Sequence, residues 1–228
     1  EPVEVSAQVE ATAAPTAEPT AAPTVQPTVQ PTAEPTPEPA GFQQSADYRL
    51  VLVNDEVEIP EDFILTTRAY GGVEVNALMY TDLCAMLDDA RDAGHTLWLA
   101  SGYRSVEKQE SILERAVQNR MRSGMTRGEA RENALLTIQE PGHSEHHTGL
   151  AVDFNRVNYD FENSGAYAWL QEHAAEYGFV ERYPEGKESI TGIKYEPWHY
   201  RYVGREHAEK MNELGMCLEE YVTYCGAL

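Results

Sequence analysis

Proline recurs at every fourth position from Pro15 to Pro35, and a threonine follows each of these prolines. Because proline has no backbone N–H, it cannot donate the hydrogen bonds of a helix interior or of an inner strand. The residues between the prolines offer nothing large enough to build a core. Residues 1–44 are therefore predicted to be a disordered Pro/Thr/Ala-rich linker in an extended, polyproline-like form, which at roughly 3 Å per residue could reach about 120 Å.

The charge of the chain is strongly acidic. The formal net charge is −21, and the six charged residues of the first 40 are all glutamates, so the remainder carries −15. This balance excludes nucleic acid as an expected partner. An anionic substrate would need a site that is locally basic or that holds a metal ion, because the general field of the protein repels anions.

The linker also bears on location. Thr-Pro tracts are typical of extracellular stalks, and a long spacer suits a domain tethered to a surface, although a tail without a task remains an alternative. No apolar run approaches the ~18 residues of a membrane-spanning helix. The sequence begins at Glu1 rather than Met, which fits a signal or anchor segment removed before this numbering. We expect an exported, surface-tethered protein.

Residues 45–228 are predicted to form one folded domain in which helices and strands alternate irregularly. This order favours an α+β fold with a small, mainly antiparallel sheet flanked by helices, rather than a wound parallel sheet. Apolar spacing and capping residues predict strands at 50–53, 96–100, 150–154 and 179–183, and helices at 81–94, 105–123, 126–138 and 164–177.

Three of the seven histidines, His143, His146 and His147, precede a predicted strand that contains Asp153. Histidine nitrogens and carboxylate oxygens are the usual zinc ligands where cysteine is absent. A third ligand could come from His199, which follows Glu196 by three residues and so has a possible general base beside it. The sequence therefore indicates a zinc site built from two separate segments.

The spacing requires the chain to bend. His146 and Asp153 are seven residues apart, an odd separation that would place them on opposite faces of one regular strand. Thr148-Gly149 is a natural position for a bend that lets both side chains reach one site. Pro197 keeps Glu196 and His199 from sharing a helix interior, so the two segments must converge by folding.

The same residues resemble the VanY-type D-alanyl-D-alanine carboxypeptidases. The segment from Ser144 to Asp153 matches their Ser-x-His-x-x-Gly-x-Ala-x-Asp motif, and the segment from Glu196 to His199 matches their Glu-x-x-His motif. The segments 101–109, 177–184 and 198–204 also look like this family in the right order. The resemblance extends over roughly residues 48–224.

The resemblance implies a zinc peptidase of the bacterial cell wall with one Zn²⁺ per chain. By position, zinc would be held by His146, Asp153 and His199, Glu196 would take a proton from the attacking water, and Arg104 would stabilise the charge that develops on the scissile carbonyl oxygen. Ser144 and Gln109 are weaker candidates for binding the substrate peptide or its terminal carboxylate. Arg104 could instead be a structural ion-pair partner, and the other histidines are expected to be supporting or surface groups.

The expected activity is removal of the C-terminal D-alanine from peptidoglycan stem peptides by a monomer. An L,D-carboxypeptidase acting on tetrapeptide stems would use the same residues, whereas a D,D-dipeptidase fits a stalked domain less well. A catalytically inactive wall-binding module or an adhesin-like stalk would have no chemical need for Glu196. Of the three cysteines, Cys217 and Cys225 could pair in an exported protein, and Cys84 is expected to be buried and inert.

Overall fold

The computed structural model describes residues 47–226, all within one compact unit. The predicted linker, residues 1–44, lies outside the described residues. Seven helices and six strands are present in the described part: β1 Thr67–Tyr70, β2 Val73–Asn76, α1 Tyr80–Asp92, β3 Leu99–Ser101, α2 Val106–Arg122, α3 Arg127–Leu135, β4 Ala151–Phe154, α4 Gly165–His173, β5 Phe179–Glu181, α5 Glu188–Thr191, β6 His199–Tyr202, α6 Arg205–Leu214 and α7 Leu218–Cys225. Short 3-10 turns lie at Tyr48–Leu50, Glu145–Thr148, Tyr159–Asn163 and Ala174–Tyr177.

The central sheet has four strands in the order β3-β4-β6-β5, and each neighbouring pair is antiparallel. A separate hairpin, β1-β2, turns at Gly71 and Gly72, which both have positive φ. The predicted α+β fold with a small antiparallel sheet is therefore confirmed. The hairpin was not predicted, because its strands are too short and too polar to produce a recognisable alternation.

The two faces of the sheet have different neighbours. Val152, Phe154, Tyr200 and Tyr202 belong to the main hydrophobic core, which also includes residues of α1 and α4. Because side chains alternate along a strand, Asp153 and His199 point to the other face. Packing of one face against the helices thus presents the polar residues of the same strands together on the opposite face.

Local signals account for the helix boundaries. Ser105 accepts a hydrogen bond from the Lys108 backbone N–H at the start of α2, and Thr126 forms a capping box with Glu129 at the start of α3. At the start of α1, Met79 rather than Thr81 occupies the N-cap position, with no side-chain cap. The predicted helix 164–177 is α4 followed by a 3-10 turn that ends at Gly178, whose φ is positive.

The apolar segment 50–53 is not a strand, contrary to the prediction. A 3-10 turn ends at Leu50, and the chain then continues without a strand partner while Leu52 and Val53 are buried. The carbonyls of Arg49 and Val51 accept hydrogen bonds from the Arg201 side chain instead of from a neighbouring strand. The apolar character of the run reflects burial rather than a strand, and a buried guanidinium binds two carbonyls of this stretch.

The cysteines do not pair in this structure: Cys84, Cys217 and Cys225 are all free thiols. Cys217 is buried at the start of α7, whereas Cys225 at its end is exposed, and Cys84 in α1 is partly buried. Among the residues that the structure describes, no helix combines the length and the apolar character needed to cross a bilayer.

Candidate metal centre

His146 is oriented by the turn that precedes β4. Gly149, with φ 66°, ends the 3-10 turn Glu145–Thr148 and provides the predicted bend before β4. The Nδ1 atom of His146 lies 2.7 Å from the carbonyl oxygen of Gly102 and can donate its proton there. The Nε2 atom then remains free and lies 3.4 Å from Asp153 Oδ2.

The register of β4 and β6 brings Asp153 and His199 together as a directly opposed pair. The Nδ1 atom of His199 lies 3.0 Å from Asp153 Oδ1. One donor atom from each of His146, Asp153 and His199 can be chosen so that all lie within 4.8 Å of one another, and all three residues are buried. The convergence expected from the sequence is thus present.

The chemistry of these donors fits Zn²⁺. Burial lowers the pKa of His146 to about 4, so this imidazole is neutral at pH 7. Burial also disfavours the charged form of His199, but its contacts with Asp153 and Glu145 raise its pKa to about 9, so a metal ion would displace a proton from this imidazole. Burial opposes ionisation of Asp153, but the facing His146 and His199 hold its pKa well below the usual range. Asp153 Oδ1 is buried without a hydrogen-bond partner in the described part of the chain. Two imidazoles and an anionic carboxylate with an unsatisfied oxygen match a three-ligand zinc site.

Glu196 is held beside this group by backbone bonds on both sides. Its N–H donates to the Tyr183 carbonyl at 3.1 Å, and its carbonyl accepts from the His199 N–H at 3.2 Å, which closes a turn around Pro197. One carboxylate oxygen lies 3.7 Å from His199 Nδ1. Burial raises the pKa of Glu196 to about 8. This carboxyl group therefore exchanges its proton in the range that general acid–base catalysis needs.

Arg104 lies against the carboxylate of Asp153. Its Nη2 atom is 3.4 Å from Asp153 Oδ2 and 3.2 Å from Ser101 Oγ, and its Nη1 atom donates to Gln109 Oε1 at 2.7 Å. Gln109 in turn donates from Nε2 to the Gln139 carbonyl at 2.5 Å. Because both ends of the Gln109 amide are engaged, this side chain supports Arg104 in the structure.

The metal donors, Glu196 and Arg104 all border one cleft of about 380 Å³. Its walls combine Ser144 and Gln139 with the apolar side chains of Ile112, Ile138 and Val157. The Nε2 atom of Gln139 is buried and has no acceptor among the described residues. The cleft therefore combines the metal donors with an apolar wall.

The other histidines lie outside the donor group. His147 supports the loop, because its Nδ1 is 2.7 Å from the Arg104 carbonyl and its Nε2 accepts from the Gly142 N–H. His143 contacts the Asn54 carbonyl, and His207 lies near Asp47 and Tyr221. These contacts agree with the supporting roles expected from the sequence.

Sequence reasoning missed a group of charged residues behind His199. Glu145, Arg182 and Arg201 are all fully buried, and both arginines form ion pairs with Glu145. Tyr183 packs its ring 4.9 Å from the His199 ring. One signal was available: an arginine between Tyr200 and Tyr202 requires a partner if the strand is buried.

Comparison with known proteins adds independent evidence. The family model described as D-alanyl-D-alanine carboxypeptidase, VanY, matches residues 72–205, and a PT disordered repeat model matches residues 10–42. A D-alanyl-D-alanine carboxypeptidase of Enterococcus faecalis is 38% identical over 177 residues, which are 77% of this chain and 66% of that protein. The chain spans about half to two thirds of the length of the curated relatives it matches.

Solved structures show the same relationship. A mutant of the vancomycin-resistance D,D-pentapeptidase VanY in complex with Zn(II) is 39% identical, with a TM-score of 0.72 over 77% of this chain and 99% of that chain. The L,D-carboxypeptidase DacB from Streptococcus pneumoniae is 32% identical, with a TM-score of 0.59 over 75% and 84%. Fold, motif positions and family model agree. The chain therefore belongs to the VanY family of D-alanyl-D-alanine carboxypeptidases.

Proposed function

We propose that this chain is a zinc-dependent D-alanyl-D-alanine carboxypeptidase that removes the C-terminal D-alanine from peptidoglycan stem peptides. One zinc ion per chain would be held by His146, Asp153 and His199. The observation that carries the proposal is the convergence of these three donors within 4.8 Å, with the carboxyl group of Glu196 next to His199. A binding module would have no use for that base, so the intact set argues for catalysis.

The residues divide the reaction between them. Zinc, when bound, supplies Lewis acidity that polarises the scissile carbonyl and makes a water molecule more acidic. Glu196 takes a proton from the attacking water as the C–O bond forms. It then gives that proton to the leaving amine as the C–N bond breaks, so its protonation state is restored. Burial raises the pKa of Glu196, which makes its ionised form a stronger base than a solvated carboxylate and suits a group that accepts and then returns a proton.

Arg104 provides the positive charge for the developing oxyanion. Its guanidinium is largely buried, which strengthens its interaction with a charge that appears in the transition state. Ser144 lies in the cleft wall, where it can bind the substrate backbone or the terminal carboxylate. We assign Gln109 to the same site, where its bond to Arg104 holds the guanidinium in place.

Electrostatics support a substrate with a free carboxylate. The residues after the first 40 carry a formal charge of −15, which repels anions. Zinc and Arg104 would supply local positive charge, and Arg115 lines the outer part of the cleft. A carboxypeptidase must recognise a free C-terminus, so this local charge is the feature that the acidic domain otherwise lacks.

A second candidate is an L,D-carboxypeptidase acting on tetrapeptide stems. The similarity to an L,D-carboxypeptidase of 32% identity supports it, and the same donors and base would serve that reaction. The two activities differ in which stem they accept.

The deciding experiment is mass spectrometry of purified pentapeptide and tetrapeptide muropeptides incubated with the full chain, with and without a zinc chelator. Chelator-sensitive loss of one alanine from the pentapeptide alone is the expected result. Loss from the tetrapeptide alone would establish the L,D activity. Cleavage of neither, with zinc bound, would overturn both assignments. Glu196→Gln is the matched inactive control, since it should keep zinc and lose turnover.

The domain organisation and location belong to the same proposal. Residues 45–228 would form the carboxypeptidase domain, a monomer, and the Pro/Thr-rich residues 1–44 would tether it to the membrane or wall outside the bacterial cell. The repeat match over residues 10–42 supports the linker. Deletion of residues 1–44 should leave kcat/KM for a soluble pentapeptide within about twofold, because no proposed site residue lies there.

A further inference from the structure

Two buried polar atoms face each other behind the donor group without a hydrogen-bond partner. Oε2 of Glu145 and Nε2 of His199 lie 3.8 Å apart, and neither has a partner within the described residues. Leaving a buried polar atom unsatisfied is costly, so such atoms are rare in folded proteins. Two of them facing each other indicate a pair, formed by a small approach or through one water molecule.

The pairing has a consequence for His199. Its other nitrogen, Nδ1, faces Asp153 Oδ1 at 3.0 Å and is the donor that reaches the proposed zinc position. A neutral imidazole carries its proton on only one nitrogen. Carboxylates lie beside both nitrogens, Asp153 at Nδ1 and Glu145 at Nε2. With zinc in the site, Asp153 would bind the metal, so Glu145 would be the carboxylate that favours the proton on Nε2 and leaves the Nδ1 lone pair to the metal.

We propose that Glu145 is a positioning residue of the metal centre, which accepts a hydrogen bond from the Nε2–H of His199 and so keeps Nδ1 available as a ligand. The inference rests on the proposed assignment of His199 as a zinc ligand. It adds a residue that the motif comparison left as an unspecified position between Ser144 and His146.

Glu145 is itself fixed on its other oxygen. Oε1 accepts from Arg182 Nε at 2.7 Å and from Arg201 Nη1 at 2.9 Å, and all three side chains have no exposed surface. Because both guanidinium groups bind Oε1, the remaining oxygen is left to face His199. The two guanidinium groups thereby hold the carboxylate in one orientation.

Segments outside the matched family region hold these arginines. Arg182 binds Glu219 of α7 at 2.9 and 2.5 Å, and Arg201 Nη2 donates to the carbonyls of Arg49 and Val51 at 3.0 and 2.8 Å. The family model covers residues 72–205 only. The orientation of His199 thus depends on segments on both sides of the matched region: the chain around Arg49 and Val51, and helix α7.

The test is zinc affinity, measured by competition with a chromogenic chelator on the full chain. Glu145→Gln should weaken binding by about 10- to 100-fold, the usual effect of losing a group that orients a ligand. In Glu145→Gln the amide oxygen stays with the two guanidinium groups, so the NH₂ faces His199 Nε2. An NH₂ group cannot accept a hydrogen bond from Nε2–H, so the variant favours the tautomer with the proton on Nδ1. Glu220→Gln is the matched control, since Glu220 lies on α7 and pairs with the surface Lys187 instead. Its zinc affinity should equal that of the wild type.

A second variant separates positioning from folding. Glu145→Gln removes the negative charge that the two buried arginines share, which could destabilise the fold. The double variant Glu145→Gln/Arg201→Gln also removes one positive charge and so restores the net charge of the buried group. Under the proposal the double variant still binds zinc at least 10-fold more weakly than the wild type. If its affinity equals that of the wild type, Glu145 serves the fold alone and the proposal is overturned.

A spectroscopic measurement reads the tautomer of His199 directly in the unmutated protein. In the ¹⁵N spectrum of the zinc-loaded chain, with the His199 signals identified from His199→Ala, the proton should be on Nε2. A proton on Nδ1 would overturn the proposal. If His199→Ala keeps zinc at wild-type affinity, the ligand assignment of the proposed function fails, which is a separate outcome from an unchanged Glu145→Gln.

Discussion

Arg104 is held on several sides, which gives its guanidinium one defined direction. Gln109 and Ser101 bind its nitrogens, and its backbone N–H donates to the His146 carbonyl at 3.0 Å. Burial lowers the pKa of Arg104, and Asp153 and Glu196 oppose this shift. A charged donor fixed in this way can stabilise a transition state without rearranging.

Arg104→Ala should therefore lower kcat by about 10²- to 10³-fold while zinc content stays at one per chain. Arg104→Lys should recover only part of the loss, because a lysine keeps the charge and loses the planar fork. Steady-state kinetics with metal analysis checks this, and Arg127→Ala, which breaks only a surface ion pair with Glu114, serves as the control. A kcat for Arg104→Ala within threefold of the wild type would mean that Arg104 is only an ion-pair partner of Asp153.

At the scale of elements, the β1-β2 hairpin supports the metal centre through Gly102. The Gly102 carbonyl binds His146 Nδ1, and the next residue donates its backbone N–H to the Glu74 carbonyl of β2 at 2.6 Å. A side chain at residue 102 would collide with the Glu74 carbonyl and with Val73 Cγ1, the latter at 2.7 Å. The hairpin can approach only because residue 102 has no Cβ.

Gly102→Ala should lower the free energy of unfolding by about 1–3 kcal/mol, as overpacking does, and weaken zinc binding because the carbonyl that orients His146 moves. Gly128→Ala in α3 is the matched control. No atom lies within 4 Å of its added Cβ, and alanine is favoured in a helix, so its stability should be unchanged or slightly higher. Denaturant unfolding and zinc competition measure both effects. Wild-type zinc affinity in Gly102→Ala would contradict the proposed role.

The end of β5 carries a carboxyl group that burial disfavours in its charged form. Burial raises the pKa of Glu181 from its ordinary value of 4.5 to about 7, and its Oε1 accepts from the Tyr167 hydroxyl at 3.0 Å. The folded state therefore holds this proton more tightly than the unfolded state. The associated stability is fully present below pH 4.5 and is lost as the pH rises through about 7.

Glu181→Gln, which keeps the acceptor oxygen, should remove this loss and stabilise the fold by about 2 kcal/mol at pH 8, with little effect at pH 4. Thermal unfolding at both pH values tests it. Glu172→Gln, an exposed residue on α4, is the control and should leave the pH dependence unchanged. If Glu181→Gln and the wild type lose stability in parallel between pH 5 and 8, another group causes the loss.

For the whole molecule, the proposed metal would connect parts of the chain that are distant in sequence. His146 comes from the turn before β4, Asp153 from β4 and His199 from β6, so bound zinc would link segments that separate on unfolding. A ligand that binds only the folded state stabilises it by about 2.7 kcal/mol at a hundred times its Kd.

Removal of zinc by a chelator should therefore lower Tm by about 5–10 °C, given 2–4 °C per kcal/mol for a protein of this size. Scanning calorimetry with and without chelator measures the shift. His199→Ala should show no shift on chelation, because it cannot hold the metal. An unchanged Tm in a wild-type protein stripped of zinc would contradict the assignment of these residues as ligands.

The sequence by itself determined the α+β class and the bend at Gly149, because chain geometry is a local property. The match of two short motifs to the VanY family, rather than spacing, singled out His146, Asp153 and His199 as the ligands beside Glu196. The sequence also predicted an extended linker, since proline removes hydrogen bonds wherever it occurs. The tertiary structure alone decided the β1-β2 hairpin, the irregular path of 50–53 and the buried group of Glu145, Arg182 and Arg201. Each of these depends on partners far away in the sequence, such as Glu219 for Arg182 and the carbonyls of Arg49 and Val51 for Arg201. A buried charge is tolerated only where the fold delivers its partner, and no local pattern specifies which distant residue that will be.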